Sequence, residues 1–190
     1  MKTFAYLLAA LFLVPAFAPA QVPVVVGPRN FKLNQILPSV TSTPQYTFRG
    51  TTDKRADYLK WFEIEVEFEV DGVELVDELT VDYLVSINNR LCPGKVTHVN
   101  VPKGKSRFSV MYISPRNLDR LTGGKQLNQG MIDNIWITIS KQGQKLAEKA
   151  MVNKAIPNLP RFEGMLSTKS DTPFHPLWWD RYEEVKPDGR

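Results

Sequence analysis

A strand is predicted at residues 59–70, where apolar and polar residues alternate without a break from Phe62 to Val70. The apolar positions are Phe62, Ile64, Val66, Phe68 and Val70, and the polar ones are Glu63, Glu65, Glu67 and Glu69. A period of two predicts a β-strand with one face in a core and the other in water. The Asp71-Gly72 pair that follows predicts a hairpin turn.

Shorter runs of the same kind follow along the chain, separated by turn residues. They lie at residues 73–76, 79–87, 95–101, 107–114, 135–140 and 146–152. One short helix is predicted at residues 115–121, with Ser114 as its cap and Pro115 in its first turn. This pattern predicts an all-β fold, an immunoglobulin-like β-sandwich of about seven to eight strands with one short helix and irregular N- and C-terminal extensions.

The ends of the chain differ from its middle. Residues 1–20 have the basic start, apolar stretch and small residues of a signal peptide, and we expect cleavage after Ala20. We then expect an extended N-terminal arm at residues 21–45, the sandwich at 46–154 and a proline- and aromatic-rich tail at 155–190 that packs on it. The expected location is the periplasm, the cell surface or the medium, with no membrane span after cleavage.

Composition narrows the classes of function. The chain of 190 residues has a formal net charge of +4, too mild to indicate nucleic acid binding. Its single cysteine, Cys92, excludes an internal disulfide, and apolar neighbours favour a buried thiol.

No pattern in the sequence indicates catalysis. His98 and His175 are the two histidines, and neither belongs to a cluster with metal-ligand spacing. The four glutamates of the first strand lie about 7 Å apart, as in a glycosidase pair, but a row on a solvent face stays ionised and solvated. We therefore expect no enzyme, no metal and no cofactor; a hydrolase with an unrecognised site is the weakest alternative.

Charge is unevenly distributed. Residues 62–82 hold nine acidic and no basic residues, whereas residues 90–154 hold twelve basic and three acidic ones. Acidic and basic strands that pair across the sheet would explain this, and we favour that interpretation. A dipolar surface that docks on a charged partner or on a second copy is the alternative.

The aromatic tail is a second candidate surface. Trp178, Trp179, Arg181 and Tyr182 are of the residue types that dominate partner-binding hot spots. The same rings could stack on sugars if they are exposed. We favour a third interpretation, in which the tail packs on its own sandwich and seals a sheet edge.

Three stretches resemble one protein family. They are WFEIEVEF at residues 61–68, VPKGK at 101–105 with VMYISPR at 110–116, and TPFHPLWWDRY at 172–182. The sequence resembles small exported immunoglobulin-like proteins of Verrucomicrobia-type, Akkermansia-like bacteria, which are encoded beside type IV pilus-like genes. The resemblance implies a similarity to archaeal pilus-subunit sandwiches and no catalytic role. The chain has no basic-Gly/Ala processing site before a long apolar helix, so an accessory component fits better than a polymerising pilin.

Together these observations predict a non-enzymatic exported interaction protein of a pilus-like or cell-envelope assembly. Its partners would be envelope proteins, with self-association among the options. The candidate partner-binding residues are Glu63, Glu65, Glu67, Glu69, Trp178, Trp179, Arg181 and Tyr182. The alternative is a carbohydrate-binding module for mucin or other glycans.

Overall fold

Six antiparallel strands form the framework of the protein in the computed structural model, which describes residues 26–46 and 59–187. The strands are β1 (Phe31–Ser42), β2 (Lys60–Ile87), β3 (Arg90–Ile113), β4 (Ile132–Lys141), β5 (Gln144–Ala150) and β6 (Leu166–Thr168). The helix α1 spans Pro115–Thr122, and three single 3-10 turns lie at Pro28–Asn30, Gln129–Met131 and Lys169–Asp171. The strands are joined in the order β5-β4-β2-β3-β6, with β1 also paired to β2. The predicted all-β class with one helix is confirmed.

The two longest strands, β2 and β3, pair with each other across nearly their whole length. The first half of β2 also pairs with β1 and its second half with β4. Between Val70 and Leu75 the register shifts, and Gly72 takes a φ of +73°. Side chains from both halves enter one common core, so the sheet folds over itself at this bend as a sandwich requires.

The strand boundaries correct the sequence prediction. The Asp71-Gly72 turn bends β2 instead of ending it, because pairing with β3 resumes beyond the irregular stretch. The segments predicted separately at 59–70, 73–76 and 79–87 are therefore one strand, and the same holds for 95–101 and 107–114 in β3. The described residues accordingly hold six strands where about seven to eight were expected. The hairpin between β2 and β3 instead turns at Asn88 and Asn89, both with positive φ.

The alternation at the start of β2 is confirmed by burial. Its apolar residues, Phe62, Ile64, Val66, Phe68 and Val70, are all 1% exposed or less. Burying such side chains contributes about 1.5–3 kcal/mol each before entropy is counted. This strand therefore supplies one central row of the core.

The helix α1 forms where the sequence predicts it. The Ser114 hydroxyl accepts a hydrogen bond from the backbone N–H of Asn117 at 3.3 Å, and Leu118 and Leu121 are buried. Gly123, with a φ of +67°, ends the helix.

Both extensions are tied to the sheet. The part of the expected N-terminal arm at Phe31–Ser42 is the regular strand β1, paired with β2. Residues 155–187, here called the C-terminal segment, run along the outer edge of β3 and include β6. The signal peptide predicted at residues 1–20 and its cleavage site lie outside the described residues. Within the described part of the chain, no helix is long and apolar enough to cross a membrane.

Candidate functional site

The acidic row of β2 is partly covered by the C-terminal segment. Glu65 is 7% exposed, whereas Glu63, Glu67 and Glu69 are half-buried. The Ser39 hydroxyl donates a hydrogen bond to Glu63 at 3.2 Å. The expectation of a fully solvated row is therefore wrong at Glu65, because the tail lies over it.

Glu65 anchors the C-terminal segment through three hydrogen bonds. Arg181 donates from Nε at 2.9 Å and from a terminal nitrogen at 2.6 Å, and the Tyr182 hydroxyl donates at 2.7 Å. Burial would raise the pKa of the Glu65 carboxyl, but these hydrogen bonds and the guanidinium charge hold that pKa below its usual value. The guanidinium also lies 3.9 Å from the ring centroid of Phe108. A bidentate pair of this kind fixes direction as well as position.

A small aromatic cluster holds the same segment to the outer face of the sheet. Phe174 stacks on Tyr112, with ring centroids 4.6 Å apart and planes 4° from parallel. Trp61 meets Phe174 edge-on at 5.5 Å. Phe174 is 1% exposed, so the tail has a core of its own. The favoured interpretation, that the tail packs on its own sandwich, is confirmed for these rings.

Two tryptophans of the same segment remain in solvent. Trp178 and Trp179 are 48% and 79% exposed. They occupy a turn in which the Arg181 backbone N–H donates to the Trp178 carbonyl at 3.1 Å. Trp178 has a φ of +49°, an unfavourable conformation for a bulky residue. The turn, here called the Trp turn, is thus displayed outward from a base fixed by the Glu65–Arg181 pair.

A buried polar network lies beneath the segment. The Tyr83 hydroxyl donates to Ser109 Oγ at 2.7 Å, and Ser109 Oγ lies 2.7 Å from His98 Nε2. His98 Nδ1 lies 3.1 Å from the Glu183 carbonyl oxygen. These contacts require a neutral imidazole that carries its proton on Nδ1, because the carbonyl oxygen accepts and Ser109 donates to Nε2. Burial lowers the pKa of His98 to about 4.

Serine and histidine at this distance resemble a nucleophile and its base, but their surroundings assign them a structural role. Ser109 is completely buried and His98 is 1% exposed. Both ring nitrogens of His98 are used by the protein's own groups. His98 lies at the groove wall, but the Ser109 hydroxyl is fully buried behind it and has no surface open to a substrate.

A groove of about 850 Å³ opens between β3 and the C-terminal segment. Its lining combines apolar, hydroxyl-bearing, basic and acidic residues, among them Val96, Thr97, Lys95, Lys169, Lys186, Glu183 and Glu184. Trp179 stands at this groove and joins it to the Trp turn.

Ion pairs link the acidic and basic strands, as the favoured interpretation of the charge pattern requires. Asp71 pairs with Lys103 at 3.3 Å and Asp82 with Lys95 at 3.9 Å, in both cases between β2 and β3. Such exposed pairs contribute about 0–1 kcal/mol each. Cys92 is fully buried, as expected, and burial raises the pKa of its thiol to about 11.

The predicted site residues fall into three groups. Glu65, Arg181 and Tyr182 meet in one hydrogen-bonded cluster, and Trp178 and Trp179 share the exposed turn above it. The other three glutamates stay along the β2 face. Sequence analysis missed the His98 network and the buried Lys169. The alternation at residues 95–101 did place His98 beside Val96, which is a burial signal.

Two comparisons relate the chain to known proteins. A protein-family model matches residues 25–188. Four chains of solved structures match, among them a crystal structure of a protein from Akkermansia muciniphila with a TM-score of 0.74 and 20% identity. That alignment covers 84% of this chain and 94% of the other. No curated protein matches the sequence. The match is consistent with an immunoglobulin-like β-sandwich and confirms the Akkermansia-like resemblance.

Proposed function

We propose, from the premise that this chain belongs to the family whose model spans residues 25–188, that it is a non-enzymatic interaction protein whose contact surface is the Trp turn. We further propose that it is exported and serves as an accessory component of a pilus-like or cell-envelope assembly, as the family resemblance implies.

The observation that carries this proposal is the exposure of the two tryptophans on a fixed base. An indole that is 79% exposed leaves a large apolar area in water. The Glu65–Arg181 pair and the Phe174 stack hold the turn in place, so little conformational entropy is lost when a partner covers it. Rigid, exposed tryptophans beside an arginine are typical of hot spots.

A non-catalytic role is supported by the His98–Ser109 pair. It is the arrangement in the described residues that comes closest to catalytic geometry, and its hydrogen bonds serve to tie the C-terminal segment to β3. The acidic row has a similar use, since Glu65 is an anchor for Arg181.

The test is crosslinking in cells of the organism that encodes the protein. The tagged wild type is compared with a Trp178→Ala/Trp179→Ala variant and with a Leu75→Ala/Ile156→Ala control, which removes apolar residues exposed to about the same degree as Trp178. We expect one set of envelope partners with the wild type and the control, and its loss with the tryptophan variant. Identical partners for all three proteins would refute the Trp turn as the contact surface.

Self-association is examined separately by light scattering at low and high salt. An oligomer that dissociates at high salt would assign the contact to charged faces. A monomer under both conditions would direct the search to a different protein.

A carbohydrate-binding role is the second candidate, and one observation favours it. Trp179 stands at the rim of the groove next to β3, where its exposed ring could cover the apolar face of a sugar. Loss of glycan-array binding in Trp179→Ala would support it, and an array without bound glycans would exclude it.

A further inference from the structure

The groove contains a largely buried lysine that has no acidic partner among the described residues. Lys169 is 9% exposed, and its Nζ donates to the His175 carbonyl at 2.9 Å. The same Nζ lies 5.5 Å from the ring centroid of Tyr182. An ammonium has three donors, and among the described residues no carboxylate lies within ion-pair distance of it. Lys169 is thus a cation held in the groove wall by a neutral carbonyl and a ring.

The other two lysines of the groove differ in this respect. Lys95 has Asp82 at 3.9 Å, and Lys186 has Glu78 at 2.6 Å. Both are exposed at the rim, where solvent screens them. The missing counter-charge is therefore specific to the lysine that is buried.

The acidic residues that line the groove do not neutralise Lys169. The Glu183 carboxylate pairs with Arg107 at 3.7 Å, and Glu184 is exposed and uses its carbonyl oxygen to accept from the Val99 N–H. Burial also lowers the pKa of Lys169, because desolvation disfavours the charged form. An anion that entered the groove would relieve this penalty without displacing any group of the protein.

The remaining lining suits a sugar ring. The Trp179 indole is flat, apolar and exposed at the rim, and the polar residues Thr97, Thr168 and Ser170 line the same groove. One face of a pyranose presents C–H groups that pack on an aromatic plane, while its edge presents hydroxyls. A volume of about 850 Å³ lies in the range of ligand sites and accommodates more than one sugar ring.

We propose that this groove binds a carboxylate-bearing saccharide, with Lys169 as the partner of the carboxylate and Trp179 as the platform for the ring. The inference deepens the carbohydrate-binding alternative given above. It assigns acidic sugars as the class of ligand. It also assigns Lys169 as a second recognition residue, which lies outside the Trp turn.

An acidic peptide would suit the charge of Lys169, but it would find the main-chain hydrogen-bonding groups at the edge of β3 already occupied. Extended peptides gain affinity from main-chain hydrogen bonds to a sheet edge. Here the edge of β3 is occupied, since Val99 N–H donates to Glu184 O at 2.9 Å and Lys186 N–H donates to Thr97 O at 2.7 Å. Recognition must therefore come from side chains, which favours the sugar.

The experiment is titration calorimetry of the purified protein with three probes. They are a disaccharide that contains glucuronic acid, its neutral glucose counterpart, and triglutamate. We expect the acidic disaccharide to bind at least about tenfold more tightly than the neutral one, which corresponds to about 1.4 kcal/mol. Equal affinity for the two sugars, binding of triglutamate alone, or no binding would each overturn the proposal.

Variants separate this inference from the protein-contact proposal. Lys169→Met removes the charge but keeps a chain of similar length, and it should abolish the preference for the acidic sugar. Lys145→Met, an exposed lysine whose partner is Glu148, is the matched control and should bind as the wild type does. If Lys169→Met binds as tightly as the wild type, the proposal fails even where the envelope crosslinks of the Trp turn persist.

A second variant keeps the test informative if Lys169→Met fails to fold. Trp179→Ala changes an exposed residue, so its fold should persist, and it should weaken the acidic and the neutral sugar alike. Unchanged affinities in Trp179→Ala would remove the stacking platform from the proposal and overturn it.

Discussion

The buried His98 should make the stability of the protein depend on pH between about 4 and 6.5. In the folded state burial lowers its pKa to about 4, against 6.5 for an unperturbed imidazole. At a pH between these two values, His98 binds a proton in the unfolded chain but not in the folded protein. The stabilising contribution of neutral His98 to the free energy of unfolding is therefore fully present above pH 6.5 and is lost as the pH falls toward 4.

The size of the effect follows from the two pKa values. They differ by roughly two and a half units, and each unit is worth about 1.4 kcal/mol, so the loss approaches about 3 kcal/mol near pH 4. Because His98 is 1% exposed, solvent screening does not reduce this figure. A loss of this size is a large share of the stability of a domain, typically about 5–15 kcal/mol.

The assay is urea unfolding at several pH values between 4 and 7.5, for the wild type and for His98→Gln. The glutamine removes the titrating group and keeps donor and acceptor atoms, so its stability should be lower at neutral pH but nearly flat toward pH 5. Burial raises the pKa of the Glu183 carboxyl, which acts in the opposite direction, but both proteins share it and it cancels in the comparison. Equal pH slopes for the two proteins would refute the reasoning.

Three further predictions follow from the anchors of the C-terminal segment and from the core. Phe174→Ala should lower the free energy of unfolding by about 3–5 kcal/mol, measured in urea, because it removes the ring stacked on Tyr112; a loss below about 1 kcal/mol would contradict its role as an anchor. Glu65→Gln should cost about 2 kcal/mol and speed proteolysis of the C-terminal segment, since Arg181 loses its charged partner; unchanged cleavage would argue against the anchor. Cys92 should react with a thiol reagent only at the rate of unfolding, because burial raises its thiol pKa to about 11; fast labelling of the native protein would contradict this.

The sequence was most informative where local pattern and packing agree. The alternation from Phe62 to Val70 predicted a buried row because each residue of a strand faces opposite its neighbours. The Ser114 cap and Pro115 in the first turn predicted α1 for an equally local reason. The continuity of β2 through Gly72 was not predictable, because a turn signal becomes a bend when a long partner strand spans it.

The candidate site depended on contacts between distant residues. Glu65 and Arg181 are separated by 116 positions, and nothing in the acidic row marks one glutamate as the buried member. The same limit applies to Lys169, which is a polar residue in a proline-rich stretch until the fold places it in the groove wall. A sequence pattern predicts which face of a strand is polar, but not which segment comes to lie on that face.

The contacts between the C-terminal segment and the edge of β3 also set an order of events during synthesis. Leu91 donates to the Pro160 carbonyl, Met111 to Ile113 pair with β6, and Val99 bonds to Glu184. All these partners leave the ribosome long after β3 itself. Until they arrive, β3 presents an open edge that could pair with another nascent chain. Completion of the sheet is thereby postponed to a late stage of synthesis.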